Sequence, residues 1–423
     1  MSRLRTWNDR FRGGASVLLA WLITRILMLV ILALAESFIV GDVFYYHRKI
    51  AALFTVGLGN TLIEYPTPVV WILSLPYAIS GGGDTGYLIV FVVLMMALDA
   101  AYTWALWRLA GRRRDSAISF WLIFVFLIGP LCYLRFDILP AVLAGGALLA
   151  ARRRPWITGA LTGLGAAIKL WPALLFPSFL AHRPDRKAVT WGFVTVGFGL
   201  ALLSVIFGGW SRLISPLTWQ SDRGLQIESI WATPVMIGRA FRPAEWVVDM
   251  SRFQAFEVFG PGVSLLLSLS NLATVAGLVV IIALYFRAFR NPQPTAIAIG
   301  MLVLATVAIM TVTNKTLSPQ YLLWLGGPMA ALLTLQSVAG DRDRVLLRRL
   351  AIQLLVLAGL THLVYPLLYD ALLGRLGDAM IVFSTLVTAL RNLALVLFTI
   401  EVCRLSWRLL GSTRERVPNS ASA

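Results

Sequence analysis

Residues 163–183 read GLGAAIKLWPALLFPSFLAHR, and this stretch decides how the rest of the chain is arranged. Lys169 is the only charged residue between Pro155 and Ala181. The run is long enough to cross a bilayer, where an unpaired ammonium near the centre costs several kcal/mol. It could cross once as a tilted helix, or fold back at Lys169 as two short helices, 156–168 and 171–182. Pro172 suits the first turn of the second helix.

The composition is that of a membrane protein. Of the 423 residues, 58% are hydrophobic and 13% are charged, whereas a soluble domain carries about 25% charged residues. Apolar stretches of about 20 residues recur, each able to cross a hydrocarbon core of roughly 30 Å. We predict an all-α polytopic membrane protein, a single transmembrane domain over 1–423, with about twelve transmembrane helices and further helices at the outer interface. Besides the two short helices, the predicted spans are 15–36, 86–110, 117–134, 137–151, 189–209, 261–288, 295–313, 318–337, 348–366 and 378–403.

The net charge of +17 comes from arginines that cluster at the ends of these helices. This distribution follows the positive-inside rule and argues against binding to nucleic acid. Four arginines precede the first helix and predict a cytoplasmic N-terminus: Arg3, Arg5, Arg10 and Arg12.

The later arginine clusters favour the fold-back at Lys169. A single span there would turn FRAFRNP (286–292), GDRDRVLLRR (340–349) and the basic C-terminal segment outward, and two short helices keep them inside. The piece 66–80 is likewise predicted to be an interfacial or half-buried outer helix, which keeps GRRRD (111–115) inside. Residues 37–85 and 210–258 then form outer loops, and 231–241 is predicted to be a short interfacial helix.

This topology gathers unusual polar residues on the outer side. They are Asp42, Tyr45, Glu64, Arg135, Asp137, Lys169, Arg223, Gln226, Glu228, Asn314, Lys315 and Gln320. Cations neutralise phosphate, carboxylates and amides bind hydroxyls, and one carboxylate can act as a base. The set is suited to a lipid phosphate that carries a sugar. Arg25 and Asp99 differ, because they fall at mid-depth of two helices and predict an intramembrane ion pair.

At these residues the sequence resembles the GT-C glycosyltransferases, specifically glycosyltransferase family 87. The resemblance rests on the order and spacing of GDVFYY (41–46), EYPTP (64–68), RFDILPA (135–141), GAAIKLWPALLFP (165–177), RGLQIES (223–229) and NKTLSPQYLLW (314–324). It implies a GT-C fold with an active-site cavity at the periplasmic face of a bacterial inner membrane. The family contains polyprenol-phosphate-mannose-dependent α-mannosyltransferases and an arabinofuranosyltransferase of actinobacteria.

The resemblance implies an inverting transfer of a sugar, mannose first, from a polyprenyl-phosphate donor to a lipid-linked glycan acceptor of the phosphatidylinositol mannoside or lipomannan type. Asp42 matches the catalytic aspartate of the first outer loop, and Glu64 is the rival base. Lys169, Arg223, Lys315 and Arg135 are predicted to hold the donor phosphate. Asp137, Tyr45, Gln226, Glu228, Asn314 and Gln320 are predicted to bind the sugar or the acceptor.

No cofactor and no essential metal are predicted, because a monophosphate leaving group has less need of a divalent cation than a nucleotide diphosphate. Cys132, Cys403 and the three histidines also lack metal-ligand spacing. Besides membrane lipids, the expected partners are the lipid donor and the glycolipid acceptor.

Three alternatives stay open: an arabinofuranosyltransferase that uses decaprenyl-phosphate arabinose, a transporter or flippase of lipid-linked sugars, and an inactive relative. Gln320 bears on the last, because some mannosyltransferases of the family have a histidine in this motif.

Overall fold

The computed structural model describes residues 13–109, 114–151, 153–335 and 340–411, which are almost entirely helical. The first nine helices are α1 (Gly14–Leu34), α2 (Gly41–Ala51), α3 (Leu53–Val56), α4 (Thr67–Ser80), α5 (Asp84–Leu109), α6 (Arg114–Ile128), α7 (Ile138–Ala150), α8 (Pro155–Ile168) and α9 (Phe176–Leu180). The next nine are α10 (Arg186–Phe193), α11 (Gly199–Asp222), α12 (Thr233–Phe241), α13 (Val263–Arg290), α14 (Ala296–Thr313), α15 (Leu323–Thr334), α16 (Asp341–His362), α17 (Tyr369–Leu373) and α18 (Asp378–Gly411). Some arginines used for the predicted topology lie outside the described residues: Arg3, Arg5, Arg10, Arg12, Arg112, Arg113, Arg152, Arg414 and Arg416.

Seven helical segments of the described chain are long and apolar enough to cross a membrane. They are Gly14–Leu34, Asp84–Leu109, Arg183–Asp222, Val263–Arg290, Ala296–Thr313, Asp341–Leu367 and Asp378–Gly411. This is the pattern of a multi-pass membrane protein. Five further apolar pieces are shorter, so the predicted count of about twelve spans stays a prediction.

The short helices α7 and α15 form the centre of the bundle. Every residue of α15 is buried, and so are most residues of α7. The two helices pack at backbone distance, because a Cβ added at Gly327 would lie 2.1 Å from the carbonyl oxygen of Ala141. A helix that is apolar all round is buried on all sides, which explains why α7 packs between α5, α8 and α15, and α15 between α5, α6, α7, α14 and α16.

The helices α1 and α5 run antiparallel and are joined by a buried ion pair. Arg25 Nε donates to Asp99 Oδ2 at 2.8 Å, and its Nη2 donates to Oδ1 at 3.1 Å. Asp99 also accepts hydrogen bonds from Trp21, Trp121 and Tyr133. The predicted Arg25–Asp99 pair is therefore confirmed. We call the face of the bundle at which α1 ends and α5 begins the cavity face.

Because α5 begins where α1 ends, residues 35–83 leave and return on the cavity face. Both ends of α4 lie beside α2: Tyr65 packs on Tyr46 with ring centroids 6.4 Å apart, and the Gly82 carbonyl lies 2.9 Å from His47 Nε2. The segment 66–80 therefore does not carry the chain across the bundle, as predicted. The expected outer loop 37–85 is mostly helical.

The run around Lys169 folds back, as predicted. α8 ends at Ile168, Lys169 is extended (φ −140°, ψ 134°), and a 3₁₀ turn over Trp171–Leu175 leads into α9. A Cβ added at Gly165 would lie 3.1 Å from Cβ of Pro172, whereas seven residues of one helix would separate them by about 10 Å.

The direction of α10 gives independent support for this hairpin. Gly159 lies against Val189 and Phe193, and Gly163 against Phe193 and Gly197, so α8 and α10 run parallel. Two parallel neighbours need a returning segment between them, and residues 169–182 supply it. The small residues spaced by four allow the close approach.

The long segment 210–258 is more ordered than the sequence indicates. The predicted span 189–209 ends at Gly209, whose φ of 79° breaks α11, but the chain continues as helix to Asp222. The short helix predicted at 231–241 is confirmed as α12. An antiparallel hairpin of β1 (Val247–Met250) and β2 (Phe256–Phe259) was not predicted.

Candidate active site

A cavity of about 460 Å³ opens between the segments that meet at the cavity face. Most residues selected from the sequence line it: Asp42, Tyr45, Glu64, Arg135, Lys169, Arg223, Gln226, Glu228, Asn314 and Gln320. Two do not line it, but they contact residues that do. Asp137 binds Lys169, and the Lys315 carbonyl accepts from the backbone of Gln226.

The first wall carries the two candidate bases. Asp42, in the first turn of α2, forms an ion pair with Arg135 of the turn before α7, and its side chain is 42% exposed. Glu64 accepts a hydrogen bond from the Tyr45 hydroxyl at 2.8 Å. Burial and the Glu64 carboxylate raise the pKa of Tyr45 well above its usual value, so the phenol remains a donor. Of the two carboxylates, Asp42 is the one whose ion pair leaves it partly exposed to the cavity.

The floor of the cavity is an ion pair surrounded by aromatic rings. The Lys169 ammonium donates to Asp137 Oδ1, which also accepts from Trp324 Nε1 at 2.9 Å. The ammonium lies 4.9 Å from the ring centroid of Trp324 and 5.3 Å from those of Phe136 and Tyr321. Carboxylate and rings together compensate the charge that the sequence leaves unpaired.

Arg223, which lines the cavity, and its neighbour Lys315, which does not, are two cations in a different state. Arg223 follows α11, and among the described residues its guanidinium has no ion-pair partner, while its buried Nε lacks a hydrogen bond. Lys315 donates to the Ser221 carbonyl at 2.7 Å. Burial lowers the pKa of Lys315, Glu257 opposes this effect, and Arg223 adds to it. The hydrogen bond to Ser221 keeps Lys315 near Arg223, and the carboxylates of Glu257 and Asp222 favour its charged form.

Glu228 places a buried carboxyl group in the cavity wall. Its side chain is 1% exposed, and its Oε2 lies 3.7 Å from Arg391 of α18 without a hydrogen bond. Burial raises the pKa of Glu228 to about 7, against the opposing effect of Arg391. Arg391 and Asn392 hold the loop itself through its backbone carbonyls.

Several buried polar atoms of the cavity wall lack a hydrogen-bond partner: Arg135 Nε, Trp171 Nε1, Arg223 Nε and Glu228 Oε2. Buried polar groups are nearly always satisfied in native proteins. Three of these atoms are donors and one is a carboxyl oxygen. None of the four atoms is exposed to the cavity, so a ligand would reach them only after a local movement of the wall.

Comparison with known families identifies the chain. The model of glycosyltransferase family 87 matches residues 65–313, more than half of the sequence. The chain belongs to glycosyltransferase family 87. The match includes the Arg135–Asp137 turn, Lys169 and the Arg223–Glu228 loop, whereas Asp42, Glu64, Lys315 and Gln320 lie outside it. Comparisons with curated proteins and with solved structures gave no match.

Family membership makes this membrane protein a glycosyltransferase, and the cavity is its candidate active site. No group of three or more His, Cys, Asp or Glu side chains in the described residues could hold a metal ion. The prediction that no metal is essential stays a prediction.

The aromatic lining of the site was missed in the sequence analysis. It consists of Tyr46, Tyr65, Trp171, Trp219, Phe253, Phe256, Tyr321, Trp324, Tyr365 and Tyr369. Part of it carried a signal, because Tyr46, Tyr65, Trp171, Tyr321 and Trp324 stand inside the quoted motifs. The others come from α11, the β hairpin and the segment after α16, and only the folded chain brings them to the cavity.

Proposed function

We propose that this family member is an inverting mannosyltransferase with a GT-C fold of about twelve spans. It transfers mannose from a polyprenyl phosphate to a lipid-linked glycan acceptor, at the periplasmic face of a bacterial inner membrane. The arginine distribution supports this orientation, because the cavity face is opposite the basic helix ends.

The observation that carries the proposal is one cavity lined by both an accessible carboxylate, Asp42, and Arg223, which has no ion-pair partner among the described residues. Lys315 reaches the carbonyl of Ser221, two residues before Arg223. A sugar phosphate needs cations at its phosphate end and a base at the attacking hydroxyl. Lys169 and Arg135 are already paired with carboxylates. We therefore assign the phosphate first to Arg223 and Lys315, and give Arg135 the task of holding Asp42.

In the proposed step, the acceptor hydroxyl oxygen attacks the anomeric carbon from the Asp42 side. The new glycosidic bond forms as the bond between this carbon and the phosphate oxygen breaks. The hydroxyl proton passes to Asp42, and Arg223 and Lys315 stabilise the negative charge that grows on the polyprenyl phosphate. The displacement inverts the configuration at the anomeric carbon. Glu228 and Gln226 are assigned to the sugar hydroxyls.

The test is transfer of radiolabel by the purified protein in detergent, from polyprenyl-phosphate mannose to a panel of phosphatidylinositol mannosides. Asp42→Asn should abolish transfer and leave the protein folded, and Glu64→Ala should lower it less. Arg223→Gln should raise the KM for the donor. Asp378→Asn, which changes an exposed residue at the start of α18, is the matched control and should transfer at the wild-type rate.

Normal turnover by Asp42→Asn would refute the assignment of the base. A loss confined to Glu64→Ala would give that role to Glu64. Transfer only from decaprenyl-phosphate arabinose would show that the donor sugar is arabinose and not mannose. Movement of intact lipid across liposomes without transfer would refute the enzymatic proposal.

A further inference from the structure

Arg212 is a buried cation, and all five N–H donors of its guanidinium form hydrogen bonds. Four of them go to one loop and the fifth to Ser215. Arg212 lies on α11, three residues after the break at Gly209, and is 1% exposed. Its Nη1 donates to the Ser215 hydroxyl at 2.9 Å. The other four donors reach backbone carbonyls of the loop between α3 and α4: Nε to Leu58 (3.3 Å), Nη1 to Tyr65 (2.7 Å), and Nη2 to Thr61 (3.1 Å) and Leu62 (3.0 Å).

Ser215 extends this arrangement by one more carbonyl. Its hydroxyl donates to Ile63 at 2.8 Å, so two side chains of α11 hold five carbonyls within residues 58–65. The loop needs such support, because Leu62 has a φ of 50° in the left-handed region. Backbone strain of this kind persists only where the surroundings enforce it. We call Arg212 and Ser215 the loop clamp.

The clamped loop ends at the first wall of the cavity. Glu64 and Tyr65 are the last two residues of the loop, and both line the cavity. The Tyr65 ring packs on Phe136, with centroids 4.9 Å apart, and Phe136 stands between the two charged residues of the Arg135–Asp137 turn. Four and five residues after Ser215, α11 carries Trp219 and Gln220, which also line the cavity.

We infer that Arg212 is a positioning residue, which joins the loop 58–65 to the second half of α11 and so holds Glu64 and Tyr65 in register with Asp42 and Arg135. Arg212 does not line the cavity, and it acts through the loop. The kinetic part of the inference rests on the proposed function. The structural part, that the clamp holds the loop, does not.

The test compares Arg212→Ala, Arg212→Lys and Ser215→Ala with the control Arg242→Ala. Arg242 is 72% exposed at the end of α12 and pairs with Glu245. Amide hydrogen exchange of the purified protein should speed up across residues 57–66 in Arg212→Ala and stay unchanged in α5. Arg212→Lys should be intermediate, because an ammonium has three donors and no planar fork. Ser215→Ala should have a smaller effect, and Arg242→Ala none.

The kinetic readout uses polyprenyl-phosphate mannose as donor. Misplacement of a reacting group by 1 Å costs about 100-fold in rate, so kcat of Arg212→Ala should fall by about that factor. The KM for the donor should stay within about threefold, because Arg223 is untouched. A merely destabilised protein would instead lose active fraction without faster exchange confined to 57–66. If Arg212→Ala fails to fold, Arg212→Lys and Ser215→Ala carry the same comparison.

Unchanged exchange at 57–66 would overturn the clamp whatever the activity. Faster exchange with normal kcat would overturn the positioning role. Absence of transfer by the wild-type protein would overturn the proposed function and the kinetic role together, and the exchange data would still decide the clamp.

Discussion

The Lys169–Asp137 pair allows a sharp test of whether Lys169 serves the fold or the donor. We consider Lys169→Met, Asp137→Asn and the double variant. Met keeps an unbranched side chain against the rings of Phe136, Tyr321 and Trp324. Asn keeps a carbonyl oxygen that can still accept the Trp324 indole N–H. The single variants each leave one buried charge, and the double variant leaves none.

The magnitudes follow from burial. The Lys169 side chain is 15% exposed and that of Asp137 is 3% exposed, so the pair is close to the fully buried limit. Removal of one partner of a buried pair costs about 3–5 kcal/mol, whereas replacement of both by neutral groups is far less costly. We expect each single variant to lose about 3 kcal/mol. The double variant should lose less than either single variant, so it should be more stable by over about 3 kcal/mol than the sum of the two losses implies.

The assay is reversible unfolding in mixed detergent micelles, followed by tryptophan fluorescence. Losses that add within about 0.5 kcal/mol would refute the pairing. The double variant also separates the two roles of Lys169, because its fold is intact and its ammonium is gone. If the lysine is structural, its donor KM stays within about threefold of wild type. A donor KM raised tenfold or more would show that Lys169 binds the phosphate.

Two further changes test other parts of the structure. Burial raises the pKa of Glu228 from an ordinary 4.5 to about 7, so its proton stabilises the fold fully below pH 4.5, and this stabilisation, about 3 kcal/mol, is lost as pH rises through 7. Glu228→Gln should therefore flatten the fall in unfolding free energy between pH 4.5 and 7, and an unchanged fall would contradict the raised pKa. Gly129 has a φ of 80°, and an added Cβ would lie 2.1 Å from the His362 ring, so Gly129→Ala should cost at least about 2 kcal/mol. Gly83→Ala, where no atom lies within 4 Å of the added Cβ, is its control, and equal thermal stability of the two variants would refute the clash.

Much of the fold could be predicted because insertion into a membrane restricts the length of apolar segments and the placement of arginine in the sequence. Apolar length marked most of the helices, and arginine placement led to the segment that does not cross, 66–80, and to the reversal of the chain at Lys169. The spans were harder to count, because the central helices α7 and α15 are shorter than the bilayer is thick. They are enclosed by other helices, so protein rather than lipid covers their ends.

The candidate site was predictable to the extent that its polar residues stand out in apolar surroundings. Asp42, Lys169 and Glu228 were each visible as charges that a membrane protein does not carry without a reason. Their partners were not visible. Pairing of Lys169 with Asp137 joins residues 32 apart, and the clamp of Arg212 joins residues about 150 apart. The mid-membrane depth of Arg25 and Asp99 predicted their pairing, but nothing in composition or spacing indicated the partners of Lys169 and Arg212.

By itself, the sequence determined that this is a helical membrane protein, which face gathers its polar residues, and that the chain reverses at Lys169. It did so because burying a charge in lipid and moving an arginine across a membrane cost much free energy. Each cost depends on the residue itself and its neighbours in sequence. Only the tertiary structure decided which charges are compensated and which are free. Carboxylates pair with Arg135 and Lys169, and none lies within ion-pair distance of Arg223 among the described residues. Ionic interactions depend on distance and burial, and those are properties of the folded chain.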